Sequence, residues 1–90
     1  MNKSELVDKI AEATDEPKTT VTEVVEATLA EITEALKRRE KVQITGFGTF
    51  EARYRDARTA RNPQTGAEIQ VSARYAPAFK PGAALKDTIQ

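Results

Sequence analysis

The sequence predicts an α+β fold: a helical N-terminal half, a three-stranded antiparallel sheet drawn out into a long protruding β-ribbon arm, and a short C-terminal helix. Three observations carry this expectation. Apolar residues recur at helical spacing before Lys41 and in alternation after it. Asn62, Pro63 and Gly66 together mark a hairpin tip, with Pro pre-setting φ and Gly accepting a left-handed backbone. Gly82 and a run of good helix formers, residues 83–89, follow Pro81.

The elements follow in order. Residues 3–13 place Leu6, Val7, Ile10 and Ala11 on one helical face, and Asn2 with Glu5 resembles a capping pair. Thr14, Asp15, Glu16 and Pro17 interrupt the pattern. Pro17 suits the first position of a second helix, while Thr20 with Glu23 offers a competing capping box. In that second helix Val21, Val24, Val25, Thr28, Leu29, Ile32, Ala35 and Leu36 form one apolar face. The basic run at its end (Lys37, Arg38, Arg39 and Lys41, interrupted by Glu40) either complements the helix dipole or contributes to a binding surface.

Beyond Lys41, Val42 and Ile44 form a short strand, Thr45-Gly46 a turn, and residues 47–55 a longer strand with Phe47 and Phe50 directed to the core. Gly46-Phe47-Gly48 is not a dinucleotide fingerprint, because Glu51 stands where the third glycine belongs and no helix follows. Arg53 and Arg55 share one parity; Ile69, Val71, Ala73 and Tyr75 share another, with Gln70, Ser72 and Arg74 opposite. The expectation is a sheet with one apolar and one arginine-bearing face, covered by helices on one side only. Residues 76–82 are expected to leave the sheet, with Lys80 just ahead of a helix start, where free N–H groups favour an anion. The chain reads as one domain, residues 1–90: a helical dimerisation region over 1–41, the sheet and arm over 42–79, and the terminal helix over 82–90.

Composition narrows function. There is no Cys and no His among the 90 residues, so the usual nucleophile–base pairs and thiolate or imidazole metal sites cannot be assembled. An enzyme is not expected, nor is a metal, cofactor, small-molecule substrate or membrane partner. The polar N-terminus and the lack of a long apolar run point to a cytoplasmic location. Fourteen basic and fourteen acidic groups give a net charge of zero, but unevenly. Residues 1–45 carry 7 basic and 10 acidic groups, a net of −3, and residues 46–90 carry 7 and 4, a net of +3. The local field, rather than the total, steers an anion.

That field sits on a ribbon with few large apolar side chains, flanked by Arg53, Arg55, Arg58, Arg61 and Arg74. Such an arm has little to pack against in its own domain, and its forked donors suit phosphate. A two-stranded ribbon is slim enough to enter a nucleic-acid groove. Pro63 at the tip is either a plain turn proline or a rigid apolar wedge able to enter between base pairs.

The chain resembles the HU/integration host factor family of bacterial nucleoid-associated proteins over its whole length. The resemblance rests on Met1-Asn2-Lys3-Ser4-Glu5-Leu6-Val7, Gly46-Phe47-Gly48-Thr49-Phe50, Arg58-Thr59, Arg61-Asn62-Pro63-Gln64-Thr65-Gly66, Phe79-Lys80-Pro81-Gly82 and Ala84-Leu85-Lys86. It implies an intertwined dimer, with a homodimer expected, whose pooled helices make one core and whose two arms embrace the minor groove of double-stranded DNA. It implies Pro63 as the intercalating residue, with Arg58, Arg61, Asn62 and Gln64 lining the groove. Arg53, Arg55, Arg74, Lys80 and Lys86 would hold phosphates, with Lys3 a weaker candidate. Bent or distorted DNA would be preferred, with little sequence specificity. A dimeric protein-interaction module of the same fold is the alternative. Ala67, Gln70 and Ala83 stand where such proteins commonly carry lysine, Ala60 replaces a frequent glycine and Ser72 a frequent proline, and Glu16 stands where a hydrophobic residue is frequent. Fewer cations on the returning strand imply a shallower salt dependence of binding than in a basic relative.

Overall fold

The computed structural model describes all 90 residues as α1 (Lys3–Thr14), α2 (Lys18–Lys37), β1 (Val42–Ile44), β2 (Gly48–Arg55), β3 (Arg58–Arg61), β4 (Glu68–Val71), β5 (Arg74–Pro81) and α3 (Ala83–Thr88). The chain divides into two compact units, residues 1–34 and 35–90.

In the first unit, Asn2 caps α1: its side chain accepts the Glu5 N–H at 2.9 Å, as the spacing predicts. The helix ends at Asp15, a left-handed residue with φ 56° whose N–H donates to the Ala11 carbonyl. Pro17 immediately precedes the first residue of α2, and its carbonyl accepts the Val21 N–H at 3.1 Å. Thr20 therefore lies within the first turn, and the cap falls to Pro17. Two ion pairs, Lys3–Glu26 at 3.4 Å and Asp8–Lys18 at 2.6 Å, set α1 and α2 side by side and antiparallel. All four side chains are well exposed, so each pair is worth at most about 1 kcal/mol. Burial is sparse. Val7 and Val21 are the buried apolar residues of this unit, while Leu6, Val24 and Leu29 remain 43%, 60% and 51% exposed. Much of the apolar face that the α2 sequence encodes is thus uncovered within one chain.

The second unit begins at the C-terminal end of α2, which closes in a double hydrogen bond: Glu40 N–H to the Ala35 carbonyl and Arg39 N–H to the Leu36 carbonyl. This closure needs a left-handed residue, a place usually taken by glycine, and Arg39 occupies it with φ 62°. Its guanidinium reaches the Leu36 and Lys37 carbonyls at 3.4 and 3.3 Å and lies 3.8 Å from the centre of the Tyr75 ring. Arg39→Ala is therefore expected to cost about 1 kcal/mol more than Arg39→Gly, because only glycine relieves the backbone while losing the same side chain. Urea unfolding of the two variants side by side checks this; equal stabilities would remove the strain argument.

The sheet has the order β1-β2-β5, antiparallel throughout. Gly46 turns the β1–β2 hairpin with φ +84°. Phe47 belongs to that turn rather than to the strand, and it is 43% exposed. The expectation that it enters the core is corrected, since a turn residue projects from the rim. It still joins a ring cluster: Phe79 lies 5.3 Å from Phe47 and 4.8 Å from Phe50. Residues 76–81 do not leave the sheet. They continue β5, pairing with β2 from Arg55↔Arg74 down to Gly48↔Pro81. Proline is compatible with this because β5 is an edge strand, and Pro77 and Pro81, four residues apart, present their missing N–H in the same direction.

The ribbon then breaks and resumes. Asp56, Ala57, Ser72 and Ala73 are unpaired, and pairing restarts at Arg58↔Val71 and runs to Arg61↔Glu68. The step from Arg55↔Arg74 to Arg58↔Val71 skips two residues on each strand, so the register is unchanged across the break. The arm is the outward continuation of β2 and β5.

Candidate nucleic-acid interface

Register assigns the cations to faces. Thr49, Glu51, Arg53 and Arg55 of β2 share one side with Lys80, Ala78, Ala76 and Arg74 of β5. The other side holds Phe50, Ala52, Tyr54, Tyr75, Pro77 and Phe79, and the Tyr54 and Tyr75 rings meet edge-to-face at 5.5 Å. Four of the sequence-selected residues, Arg53, Arg55, Arg74 and Lys80, are therefore brought together on one strand face. Lys80 takes its place there as a strand residue opposite Thr49, not as a helix N-terminal one. The terminal helix is only six residues long, and its N-cap is Gly82.

In the arm the clean separation of arginine from apolar residues ends. Arg61 keeps the parity of Arg53, but Arg58, opposite Val71, takes that of Tyr54. The break between sheet and arm compensates: Arg55, Arg58 and Arg74 line one open cavity of ≈ 640 Å³ together with Asp56, Ser72 and Val71. Three arginines and a single carboxylate around one hollow give it a net positive charge.

At the tip the chain closes from Asn62 to Gly66, the residues that the sequence marks. The Gly66 N–H donates to the Asn62 carbonyl at 2.7 Å, a five-residue closure, with Gly66 at φ +73°. The Asn62 side chain accepts the Gln64 N–H at 2.9 Å, and the Thr65 hydroxyl accepts the Ala67 N–H at 3.2 Å. The side-chain oxygen of Asn62 is thus engaged in holding the loop. Pro63 and Gln64 are left at the end of the arm, with no strand beyond them. Below them Gln70 donates to the Thr59 hydroxyl across the strands at 3.2 Å.

The remaining sequence-selected residues belong to other elements. Lys86 is exposed on α3, and Lys3 lies in the helical unit, paired with Glu26. Two further groups adjoin the candidate site: Glu51, which the sequence reading did not single out, and Lys41, which it placed in the basic run at the end of α2. Glu51 sits among the cations, its carboxylate 2.7 Å from Arg53 and 3.7 Å from Lys41, with only 15% of its side chain exposed. The hydrogen bond from Arg53, and the positive charges of Arg53, Lys41 and Lys80, hold its carboxyl below the usual carboxylate range. Glu51 is therefore ionised at neutral pH. Lys41, which the sequence places in a helix-end run, is drawn by it onto the sheet. The signal is present in the sequence, since Glu51 stands two residues before Arg53 on the same strand face.

Charge segregates by unit more sharply than by halves of the sequence. Residues 1–34 carry 3 basic and 9 acidic groups, a net of −6, and residues 35–90 carry 11 and 5, a net of +6. Neutrality overall hides a strongly basic second unit.

The family model described as "Bacterial DNA-binding protein" matches residues 1–90. The chain belongs to the HU family of bacterial DNA-binding proteins. It is 51% identical over 90 residues to DNA-binding protein HU of Geobacillus stearothermophilus and 52% identical over 90 residues to HU-alpha of Vibrio proteolyticus, with full coverage of both chains in each case. Among solved structures, an Anabaena HU–DNA cocrystal structure is similar with a TM-score of 0.91 and 40% identity, covering 99% of this chain and 97% of that one. HU from Thermotoga maritima matches with a TM-score of 0.72 and 37% identity, over the whole of both chains.

Proposed function

We propose that this chain is an architectural protein that binds and bends double-stranded DNA as a homodimer, with little sequence preference and in association with the nucleoid of the cytoplasm. Its work is mechanical rather than catalytic, as in the HU family to which it belongs. The observation that carries the reading is the unbroken register of the β2–β5 ribbon, which leads from a face bearing Arg53, Arg55, Arg74 and Lys80 to a proline held at the end of a tied loop. The Anabaena HU relative was crystallised with DNA, and the high structural similarity extends that partner to this chain.

The strand-face cations and the three arginines around the hollow neutralise phosphates. Arg61 and Gln64 follow the groove, and Pro63 wedges into a base step at a cost of a few kcal/mol, offset by the extra contacts that the bend permits. Lys86 and Lys3 add outlying phosphate contacts. The exposed apolar residues of α2, together with so few buried side chains, support pairing of two copies into a shared core. Because unstacking is cheapest where DNA is already deformed, nicked or kinked duplex is the preferred ligand.

Gel-shift titration of linear and nicked duplex with the natural protein and Pro63→Ala tests this, alongside end-to-end energy transfer in doubly labelled DNA. Tighter binding to nicked DNA is expected, with the variant still binding but losing most of the end-to-end shortening. Absence of binding at low salt would sink the reading and favour a protein-interaction module of the same fold. Unchanged bending by the variant would remove Pro63 from its role as wedge.

A further inference from the structure

The carboxylate of Glu51 is out of place on a face otherwise suited to phosphate. By register it shares that face with Arg53, Arg55, Arg74 and Lys80 and is the one acid there. Its oxygens contact two cations from different segments: Oε1 takes the Arg53 Nε at 2.7 Å, and Oε2 lies 3.7 Å from the Lys41 Nζ. It is more enclosed than they are, with 15% of its side chain exposed against 48% for Arg53 and 71% for Lys41. An acid fixed among exposed cations presents an oxyanion where a phosphate oxygen would otherwise sit.

We propose that Glu51 is an internal competitor for phosphate, which occupies Arg53 and Lys41 in the free protein and thereby sets the strength and salt dependence of DNA binding, and that Lys41 belongs to the phosphate-contacting set. This inference rests on the DNA-binding reading above. The physical basis is that a cation paired with a carboxylate neutralises less of the DNA charge, so fewer counterions are released on binding.

The test is a double-mutant cycle on DNA affinity with E51Q, K41Q and the double variant, each checked by circular dichroism and thermal melting for an intact fold. E51Q keeps the shape and a hydrogen-bond acceptor and removes the charge. It is expected to bind duplex DNA roughly threefold more tightly at low salt. It is also expected to steepen the slope of log affinity against log salt by about 0.9, so that affinity falls about 3.5-fold more than in the natural protein between roughly 50 and 200 mM salt. K41Q should weaken binding more in the E51Q background than in the natural one, because Lys41 is then free of its internal partner. Equal affinities and slopes for the natural protein and E51Q, weaker binding by E51Q, or an effect of K41Q independent of residue 51 would each overturn the proposal while leaving DNA binding intact. Failure of every variant and the natural protein to bind at low salt would instead overturn the DNA-binding reading, and this inference with it.

Discussion

Gly48→Ala is expected to be the most damaging small substitution in the chain, lowering stability by about 2–4 kcal/mol. Gly48 is buried in β2, and a Cβ built on it would fall 2.6 Å from the tip of the Phe79 ring and 2.7 Å from the Lys80 carbonyl oxygen. The ring packs on Phe47 and Phe50 but is 38% exposed and can turn aside, whereas the carbonyl is backbone in the neighbouring strand and cannot give way locally. One methyl would separate β2 from β5 where the Phe47 carbonyl also accepts the Gly82 N–H at 2.8 Å. Against a total of about 5–15 kcal/mol such a loss is large. It corresponds to a fall in melting temperature of about 8–30 °C at fixed protein concentration. Gly46→Ala is the control. Gly46 has φ +84° and nothing within 4 Å of its added Cβ, so its cost is backbone strain alone, about 1 kcal/mol. Melting curves of the two variants should therefore separate clearly, and a Gly48→Ala protein melting within a few degrees of the natural one would mean that the strands can part without loss.

The second large effect concerns the hollow between sheet and arm. Replacing Arg55, Arg58 and Arg74 together by glutamine should leave the fold in place, because all three side chains are exposed and line an open hollow rather than the core. It should nonetheless reduce DNA binding sharply at moderate salt. Removing one phosphate-neutralising cation lowers the salt slope by about 0.9, so removing three lowers it by about 2.7 for each arm engaged. The measurement is affinity for one duplex at four or five salt concentrations. A triple variant with an unchanged slope would mean that neither the hollow nor the Arg55–Arg74 end of the strand face meets DNA, leaving Arg53 and Lys80 of that face to carry the binding.

The extent to which the chain can be read from its residues follows from how local the determining physics is. The α2 stripe from Val21 to Leu36 and the tip signalled by Asn62, Pro63 and Gly66 are written in near-neighbour spacing, and both elements form where that spacing places them. The end of the sheet is harder, because Pro77 and Pro81 suggest a break to a local reading. Only the edge position of β5 makes them acceptable there. The same holds for the interface. Parity groups Arg53, Arg55 and Arg74, but it cannot show Arg58 joining Arg55 and Arg74 around the hollow, nor Lys41 reaching Glu51. Arg39 is the hardest case. A left-handed arginine has no sequence signature, and its justification, the Tyr75 ring, lies far along the chain.

The unpaired step between sheet and arm has a consequence for the entropy of complex formation. The ladder is interrupted only at Asp56, Ala57, Ser72 and Ala73, so the ribbon bends there at least cost, while the arm beyond carries its own ladder and a tied tip. Freezing four backbone residues costs on the order of 4–8 kcal/mol, far less than ordering an entire disordered arm. Because the register is the same on both sides of the step, a bend there leaves the side-chain pairing within the arm unaltered. Closure selects among orientations of one preassembled object, and the DNA has only its angle to decide.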